Sequence, residues 1–323
     1  MNQAEFSTLG EPLTAEGLRS LLIKGAPLRD LNMVGGDYRG LDLSQVRFES
    51  VDARRASFSG SNITGSQWRG CRMGYADFSG CQLEGVTLVD CNLDRTRLTG
   101  ASLSGGRWLR THSVALDLSL ATLRSVSFID SVFDDLVLSN VDVSQCQWQG
   151  CSLHSLQAPG SQWQQVRMTE CHFENLDLGQ ARLEQCAFDE SIFVRADFSA
   201  VDTVSISFYR CKGDHISFAR AKLNQAIFSE AQFPAADFTG ACLERANLNK
   251  ADVTGSIFTG ASLQYAQCQA MKAAQASFVN ANLDGTDFHA AELEGCDWRD
   301  ANRESIRPQD SERLAAQRWQ PTL

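Results

Sequence analysis

Large apolar side chains recur at every fifth position of this 323-residue chain. The pattern is most regular in residues 236–255, which form four consecutive blocks of five. Each block has a small residue, then usually Asp or Asn, a large apolar residue, and two polar or small residues; Phe238, Leu243, Leu248 and Val253 are the large ones. A short fixed period predicts a structure that grows by stacking repeats rather than around one large core.

We call the large residue of each block i, so that the small residue is i−2 and the Asp or Asn is i−1. The i positions run from Leu28 to Trp298 without an insertion or deletion, 55 in all. They contain seventeen of the eighteen Phe and five of the six Trp. This confinement predicts that i points into a core and that i−1, i+1 and i+2 face water.

A second period, of twenty residues, indicates that four blocks make one turn. From Leu43 to Leu283, nine of the thirteen i residues at this spacing are Leu and none is Phe, whereas the series from Tyr38 to Phe278 is rich in Phe. Frequent Gly at i+2 and Asp or Asn at i−1 provide the backbone freedom and the side-chain hydrogen bonds that corners require.

The block pattern resembles A(D/N)LXX, the signature of the pentapeptide-repeat family. That resemblance implies an all-β fold, a right-handed quadrilateral parallel β-helix with four blocks per coil. At a strand spacing of about 4.8 Å, about 13–14 coils would form a rod of roughly 65 Å. Short helical caps are expected at both ends, because an open solenoid end exposes unpaired strands and core.

Three segments are predicted: a helical cap (1–26), the repeat β-helix (27–300) and a C-terminal cap or dimerisation segment (301–323). Thr14 can cap a helix that runs to about Lys24, with Gly25 just past its end. A second short helix is expected from Pro308 to Arg318. The resemblance implies a homodimer through this second segment, with Leu314 and Trp319 as candidate contacts; simple capping is the alternative.

The eleven cysteines follow the same register. Nine of them occupy i−2, a position where chance would place about two, so cysteine is expected to act as a small buried apolar residue. Cys268 at i and Cys242 at an outward position are the exceptions, and Cys242 is expected to react first with added reagents. Reduced thiols, no export signal and no apolar run of membrane-spanning length predict a cytoplasmic protein without a membrane association.

Two kinds of departure from the pattern stand out. Leu replaces the small i−2 residue at four consecutive coils, Leu116, Leu136, Leu156 and Leu176, which predicts different packing in the middle of the repeat. The large i residue is lost at Thr203 and Gly213 of one coil. We therefore expect a distorted corner at Lys212, Gly213, Asp214 and His215, either a local weak point or a docking site.

Motifs of the common enzyme classes are missing from the sequence, including phosphate-binding loops, the G-x-S-x-G elbow, H-E-x-x-H and paired CxxC. Four of the five His project from one face, but His112 and His172 would be three coils, about 14 Å, apart. One metal ion could not span that distance. We expect no enzyme activity, no cofactor and no metal.

The net charge of −10 argues against direct binding of nucleic acid or anionic membrane and permits a basic partner. Two adjacent faces hold −7 of it. On the Tyr38/Phe58 face the acids at i−1 form a column, which we treat as a candidate protein-binding site: Asp37, Asp77, Asp117, Asp177, Asp197, Asp237 and Asp297.

Two functional hypotheses follow. The first is a non-enzymatic protein-binding rod, a scaffold or adaptor that could serve a toxin or a secretion system. The second comes from the resemblance: some family members imitate duplex DNA, bind DNA gyrase or topoisomerase IV and modulate quinolone sensitivity. Roughly 65 Å of duplex carries about 38 phosphate charges, so ten net charges make a dilute mimic, and Asp at i−1 is also the ordinary corner residue of the family.

Overall fold

The computed structural model describes residues 11–138, 141–307 and 312. Contacts divide the chain into two compact units, residues 1–162 and residues 163–323. Each unit is a stack of short parallel strands and bridges joined by tight corners. The predicted repeat segment, 27–300, contributes to both units, and its boundaries stay predictions.

Capping residues at both ends define a short helix at the start of the first unit. Helix α1 (Ala15–Ile23) begins after Thr14, whose hydroxyl accepts a hydrogen bond from the N–H of Gly17 at 3.1 Å. It ends at Lys24, and Gly25 follows with φ of +60°. Leu18 is fully buried. The predicted N-terminal helix and its capping residues are therefore confirmed.

The strands are short because each flat side of a turn holds only a few residues between corners. In the first unit they are β1 (Leu28–Arg29), β2 (Arg47–Glu49), β3 (Gln67–Arg69), β4 (Thr87–Val89), β5 (Arg107–Leu109), β6 (His112–Val114), β7 (Thr122–Arg124), β8 (Ser127–Ile129), β9 (Val132–Asp134), β10 (Asp142–Ser144), β11 (Gln147–Gln149) and β12 (Ser152–His154). Strand β13 (Gln162–Gln164) lies at the boundary. The second unit contains β14 (Arg167–Thr169), β15 (His172–Asp177), β16 (Arg182–Glu184), β17 (Ile192–Asp197), β18 (Asp202–Val204) and β19 (Lys212–Ser217).

Pairing is parallel, with partners twenty residues apart. In the first unit Leu28 pairs with Phe48, and Phe48 with Trp68. In the second unit, where β15, β17 and β19 form one sheet, Asp197 pairs with Ser217, which in turn bridges Asp237. The predicted period of twenty residues and the parallel β-solenoid are therefore confirmed.

Backbone hydrogen bonds connect each turn to the next on both sides of a block. In the second unit the N–H of Phe218 donates to the carbonyl of Asp237 at 2.7 Å, and the N–H of Asp237 donates to the carbonyl of Ile216 at 3.0 Å. The N–H of Ala241 donates to the carbonyl of Phe238 across the corner at 3.0 Å. The backbone is thus held on a fixed lattice, which leaves the outward side chains at regular intervals.

Every described i+2 residue from Asp30 to Asp300 has a positive φ. Gly suits this left-handed conformation because it lacks a Cβ, and Gly240 adopts it with φ of +65°. Most i+2 residues are not Gly, and Arg220 has φ of +58° in the same place. The corner geometry is therefore imposed by the stacking of turns and not by glycine alone.

The core consists of the i and i−2 side chains, as the pattern predicts. Phe218, Phe238 and Phe258 are fully buried and stack on one another, with ring centroids 4.9 and 4.7 Å apart. In the first unit Phe58 and Phe78 stack in the same way at 4.7 Å. The leucines at i−2, Leu116, Leu136, Leu156 and Leu176, are at most 2% exposed, so they extend this core.

All eleven cysteines are free thiols. Eight of the nine at i−2 are buried, as is Cys268, whereas Cys242 and Cys296 are partly exposed. Burial raises the pKa of the Cys186 thiol to about 11. Cysteine therefore fills the same inward position as Ala in other blocks.

The repeat geometry extends past the last large apolar residue. Asn282 bridges Asn302, and Asp287 bridges Arg307, so the backbone continues its period beyond Trp298. The sequence pattern fades earlier because Arg303 occupies the i position of that block. Most of the second predicted helix, including Leu314, and the contact residue Trp319 lie outside the described residues.

Candidate protein-binding surfaces

The Asp residues at i−1 are placed beside the corners, where their carboxylates meet backbone N–H groups. All seven members of the acidic column accept a hydrogen bond from the N–H two residues later, at 2.7–3.2 Å. Asn247 makes the same contact with the N–H of Asn249 at 3.0 Å. This is the local side-chain to backbone bond for which Asp and Asn are favoured in turns. The column therefore has a structural role in every member.

Basic side chains neutralise part of the column. Arg39 forms a two-point ion pair with Asp37, at 2.9 and 2.7 Å, and its guanidinium lowers the pKa of that carboxyl to about 2. Arg299 pairs with Asp297 in the same way and lowers its pKa. Arg97 lies 3.9 Å from Asp77. These three acids present paired charge rather than free carboxylate to a partner.

The column is also interrupted along each stack. In the first unit Ser57 lies between Asp37 and Asp77, and Arg97 lies between Asp77 and Asp117. In the second unit Asp177 pairs directly with Asp197, but Ser217 separates Asp197 from Asp237.

Asp177, Asp197 and Asp237 form the most acidic part of this column. In the described part of the chain, no Lys, Arg or His nitrogen lies within 4 Å of their carboxylates. The sequence predicts this column of acids, but the paired arginines become visible only in the structure. Four of the seven members of the column therefore have no ion pair among the described residues, these three in the second unit and Asp117 in the first.

The backbone at residues 212–215 is regular, which corrects the expectation of a distorted corner. Lys212 and Asp214 lie in β19 and pair in register with β17, and His215 has the ordinary corner φ of +53°. Gly213 leaves no gap, because a Cβ at that position would lie 2.1 Å from Cδ1 of Ile216. The i−2 side chain of the next block therefore occupies the space of the missing i side chain.

An open groove of about 610 Å³ begins at the same corner and follows the second unit along its stack. Two parallel columns line it, one at i+2 that includes Arg210 and Lys250, and one at i−1 that includes Lys212 and Lys272. The groove was not anticipated from the sequence. A signal was present, because residues spaced by twenty at these two columns are nearly all charged or amide side chains.

Large exposed apolar side chains are scattered over the outward positions. Tyr75, Leu120, Val204, Ile227 and Tyr265 are 40–63% exposed and belong to different blocks and columns. Isolated apolar residues of this kind are normal on protein surfaces. The described surfaces therefore favour recognition of polar and charged groups.

Neither a metal cluster nor a membrane-spanning helix is found in the described residues. Within 11–138, 141–307 and 312, no group of three or more His, Cys, Asp or Glu could hold a metal ion. In the same ranges, no helix is both long and apolar enough to cross a bilayer.

Comparison with known proteins agrees with the repeat. A family model described as "Pentapeptide repeat region" matches residues 28–109 and 181–258, and one described as "Pentapeptide repeats (8 copies)" matches residues 261–300. No curated protein sequence matches the chain significantly.

Several solved structures are similar to this chain. A pentapeptide repeat protein from the Arabidopsis thaliana thylakoid lumen is 25% identical over 31% of this chain and 69% of its own, with a TM-score of 0.29. HetL from the cyanobacterium Nostoc sp. is 18% identical over 90% and 95%, with a TM-score of 0.16. Full-length QnrB1, a plasmid-mediated fluoroquinolone resistance protein, is 13% identical over 87% and 97%, with a TM-score of 0.23.

The two family models together match residues in both compact units. They agree with the five-residue blocks, the twenty-residue turns and the buried i side chains of the structure. The chain belongs to the pentapeptide-repeat family.

Proposed function

We propose that this protein is a non-enzymatic binding protein, a scaffold or adaptor that presents rigid polar surfaces to another protein. The observation that carries this proposal is the backbone lattice: turn-to-turn hydrogen bonds hold the outward side chains at fixed spacing. A surface that is already ordered loses little conformational entropy when a partner binds. Three of every five residues point outward, and the accessible surface of 15655 Å² is many times the roughly 800 Å² per partner that a stable interface uses.

The site of action that we propose is the cytoplasm. Eleven free thiols, nine of them buried, suit a reducing compartment. Within that compartment the partner could be a component of a toxin or secretion system, or a DNA-binding enzyme. The second possibility defines the alternative function.

Mimicry of DNA toward gyrase or topoisomerase IV is the alternative, and one observation favours it: Asp177, Asp197 and Asp237 carry unpaired charge on one column of the second unit. The corner bonds of the whole column and the arginines beside Asp37 and Asp297 weigh against it. A protein-binding scaffold does not require a continuous acidic surface. We therefore prefer the scaffold.

Affinity capture on the intact protein from the native lysate tests the scaffold. The account predicts recovery of a specific protein partner that survives nuclease treatment and is competed by free protein. Recovery of no specific partner would overturn the proposal. The bait must be the full-length chain, because both units present outward columns.

A gyrase supercoiling assay, with and without a quinolone, tests the alternative. The scaffold account predicts unchanged supercoiling and unchanged drug sensitivity at micromolar protein. Inhibition or protection that disappears in the triple variant Asp177→Asn/Asp197→Asn/Asp237→Asn would replace the scaffold with the mimic. Asn keeps an oxygen acceptor for the corner N–H, so this variant removes charge and retains the turn.

A further inference from the structure

The groove of the second unit is defined by two adjacent columns that run along the stack. Glu190, Arg210, Glu230 and Lys250 occupy i+2, and Lys212, Gln232, Asp252 and Lys272 occupy the neighbouring i−1. Arg210 and Lys212 belong to one turn, and each following turn adds the next member of each column. The groove is therefore bordered by four bases and three acids in a chain whose net charge is −10.

The carboxylate of Glu230, in the middle of the groove, is already neutralised. Arg210 Nε donates to Glu230 Oε2 at 2.9 Å, and Lys250 Nζ lies 3.8 Å from Oε1. The hydrogen bond from Arg210 lowers the pKa of the Glu230 carboxyl. An incoming carboxylate would thus meet little repulsion from Glu230.

Lys212 and Lys272 are the uncommitted charges of the groove. Both are exposed, and no carboxylate oxygen of the described residues lies within 4 Å of either ammonium group. The chain contains only five Lys, and three of them line this groove. This concentration gives the groove a local positive character that the charge of the whole chain does not suggest.

We propose that this groove binds an extended acidic segment of the partner protein, with carboxylates four residues apart on Lys212 and Lys272. The two lysines are three turns apart, about 14 Å at a strand spacing of about 4.8 Å. Four residues of extended peptide span about 14 Å at about 3.4 Å per residue. Gln232 and Asp252 lie between the two lysines along the same column. The Gln232 amide can donate to and accept from the peptide backbone, and the Asp252 carboxylate accepts from the N–H and the hydroxyl of Thr254.

An extended peptide fits this arrangement better than a phosphate or a nucleic acid. Phosphate recognition uses convergent donors and favours the planar fork of Arg, whereas Lys212 and Lys272 are separated by three turns. A polyanion would also meet the acidic surface of the remainder of the chain, because charges act over about 8 Å at physiological salt. Two localised carboxylates avoid that repulsion.

Fluorescence anisotropy on the full-length protein tests the inference, which rests on the proposed function. The probe is the fluorescein-labelled peptide Gly-Asp-Ser-Gly-Ser-Asp-Gly, and the matched probe Gly-Asp-Asp-Ser-Gly-Ser-Gly has the same composition with adjacent acids. We expect the spaced probe to bind more tightly and its binding to weaken as salt rises from 50 to 500 mM. Equal affinity for both probes, or no binding of either at low salt, would overturn the inference.

Charge-removing variants locate the site. Lys212→Gln/Lys272→Gln is expected to weaken binding of the spaced probe by about tenfold, the effect of losing two exposed charge contacts. Lys222→Gln is the matched control, because Lys222 is also an exposed i−1 lysine but lies on another column and pairs with Asp202. Unchanged binding by the double variant, equal loss in the control, or tighter binding of a single-stranded oligonucleotide at this groove would each overturn the proposal.

Affinity capture with the wild type and with the double variant distinguishes failure of the groove assignment from failure of the scaffold proposal. If wild type and Lys212→Gln/Lys272→Gln recover the same partner equally from lysate, the groove assignment fails and the scaffold stands. If neither recovers a specific partner, the scaffold itself fails. Thermal melts of the double variant should match wild type, since both side chains are exposed.

Discussion

At the scale of single residues, the polar atoms of inward side chains differ in whether the neighbouring i−2 residue gives them a hydrogen-bond partner. Trp68 is 1% exposed, and its indole N–H donates to the hydroxyl of Ser66 at 2.9 Å. Ser66 is the i−2 residue of the same block. At Trp108 the i−2 residue is Gly106, and the buried indole nitrogen has no hydrogen-bond partner among the described residues. A Ser at i−2 does not suffice by itself, because the Ser161 hydroxyl donates to the carbonyl of Ala158 and the indole nitrogen of Trp163 has no hydrogen-bond partner among the described residues.

Replacing Ser66 with Ala should lower the free energy of unfolding by about 1–3 kcal/mol, because it leaves a buried N–H without an acceptor. Chemical denaturation monitored by tryptophan fluorescence measures the loss. Ser59→Ala is the matched control, since Ser59 lies at i+1 two blocks earlier, outside the core. Equal losses for the two variants would show that the indole bond contributes nothing.

Thiol reactivity is a second residue-scale consequence of the register. Cys242 lies at i−1 and is partly exposed, whereas Cys81 is buried and its pKa is raised to about 11 by that burial. We predict that a thiol reagent at pH 8 modifies Cys242 in the fast phase of native protein and the buried thiols only after unfolding. Cys242→Ser should abolish the fast phase and Cys81→Ser should not, while Cys296, which is also partly exposed but whose pKa is raised by burial, reacts more slowly in all three proteins. A fast phase that survives Cys242→Ser would contradict this assignment.

At the scale of the element, the corner is the unit that repeats, and its acidic residue has a backbone role. Asp237 Oδ1 accepts from the N–H of Thr239 at 2.8 Å, next to Gly240 in the left-handed conformation. Asp177 and Asp197 accept the corresponding hydrogen bonds from the N–H groups two residues later. The acidic column of the sequence is thus explained largely by corner chemistry.

Substitutions at Asp237 can separate the hydrogen bond from the charge. Asp237→Ala should lower the free energy of unfolding by about 0.5–1.5 kcal/mol, because the corner N–H loses its acceptor. Asp237→Asn retains an oxygen and should keep most of that stability, as Asn247 does naturally in the same position. Thermal and urea unfolding measure the stability of both variants. Gln232→Ala is the control, because Gln232 also lies at i−1 but its side chain accepts no hydrogen bond from a corner N–H of the described residues. If Asp237→Asn loses more unfolding free energy than Asp237→Ala, the charge and not the hydrogen bond stabilises the corner.

Sequence reasoning succeeds at this scale wherever a residue type has one physical role. Phe and Cys could be assigned to the core because the register confines them, and Thr14 to a helix cap because its hydroxyl suits that place. It failed at Gly213, since the side chain that fills the gap belongs to Ile216, an i−2 residue of the next block. Compensation between neighbours depends on rotamers, which the pattern of residue types does not specify.

At the scale of the whole chain, one register runs through both compact units and determines which side chains partners can reach. The fold class follows from that register through its resemblance to the pentapeptide repeat. The candidate site does not, because ion pairs such as Arg39 with Asp37 and Arg210 with Glu230 depend on where long side chains lie on neighbouring columns. Counting charges by face predicts that this protein binds its partner through an acidic surface. The structure instead reveals paired acids and one locally basic groove.

The chain divides into i positions in the core and i+1 positions at the surface, and one pair of adjacent residues tests this division. Phe238 is fully buried between Phe218 and Phe258, and Thr239 follows it at i+1. The measurement is the free energy of urea unfolding for Phe238→Ala and Thr239→Ala. We predict a loss of about 3–5 kcal/mol for the first, from the cavity in the aromatic stack, and a change within about 0.5 kcal/mol for the second. Equal effects of the two substitutions would contradict the register, and with it the division of the chain into core and presented surface.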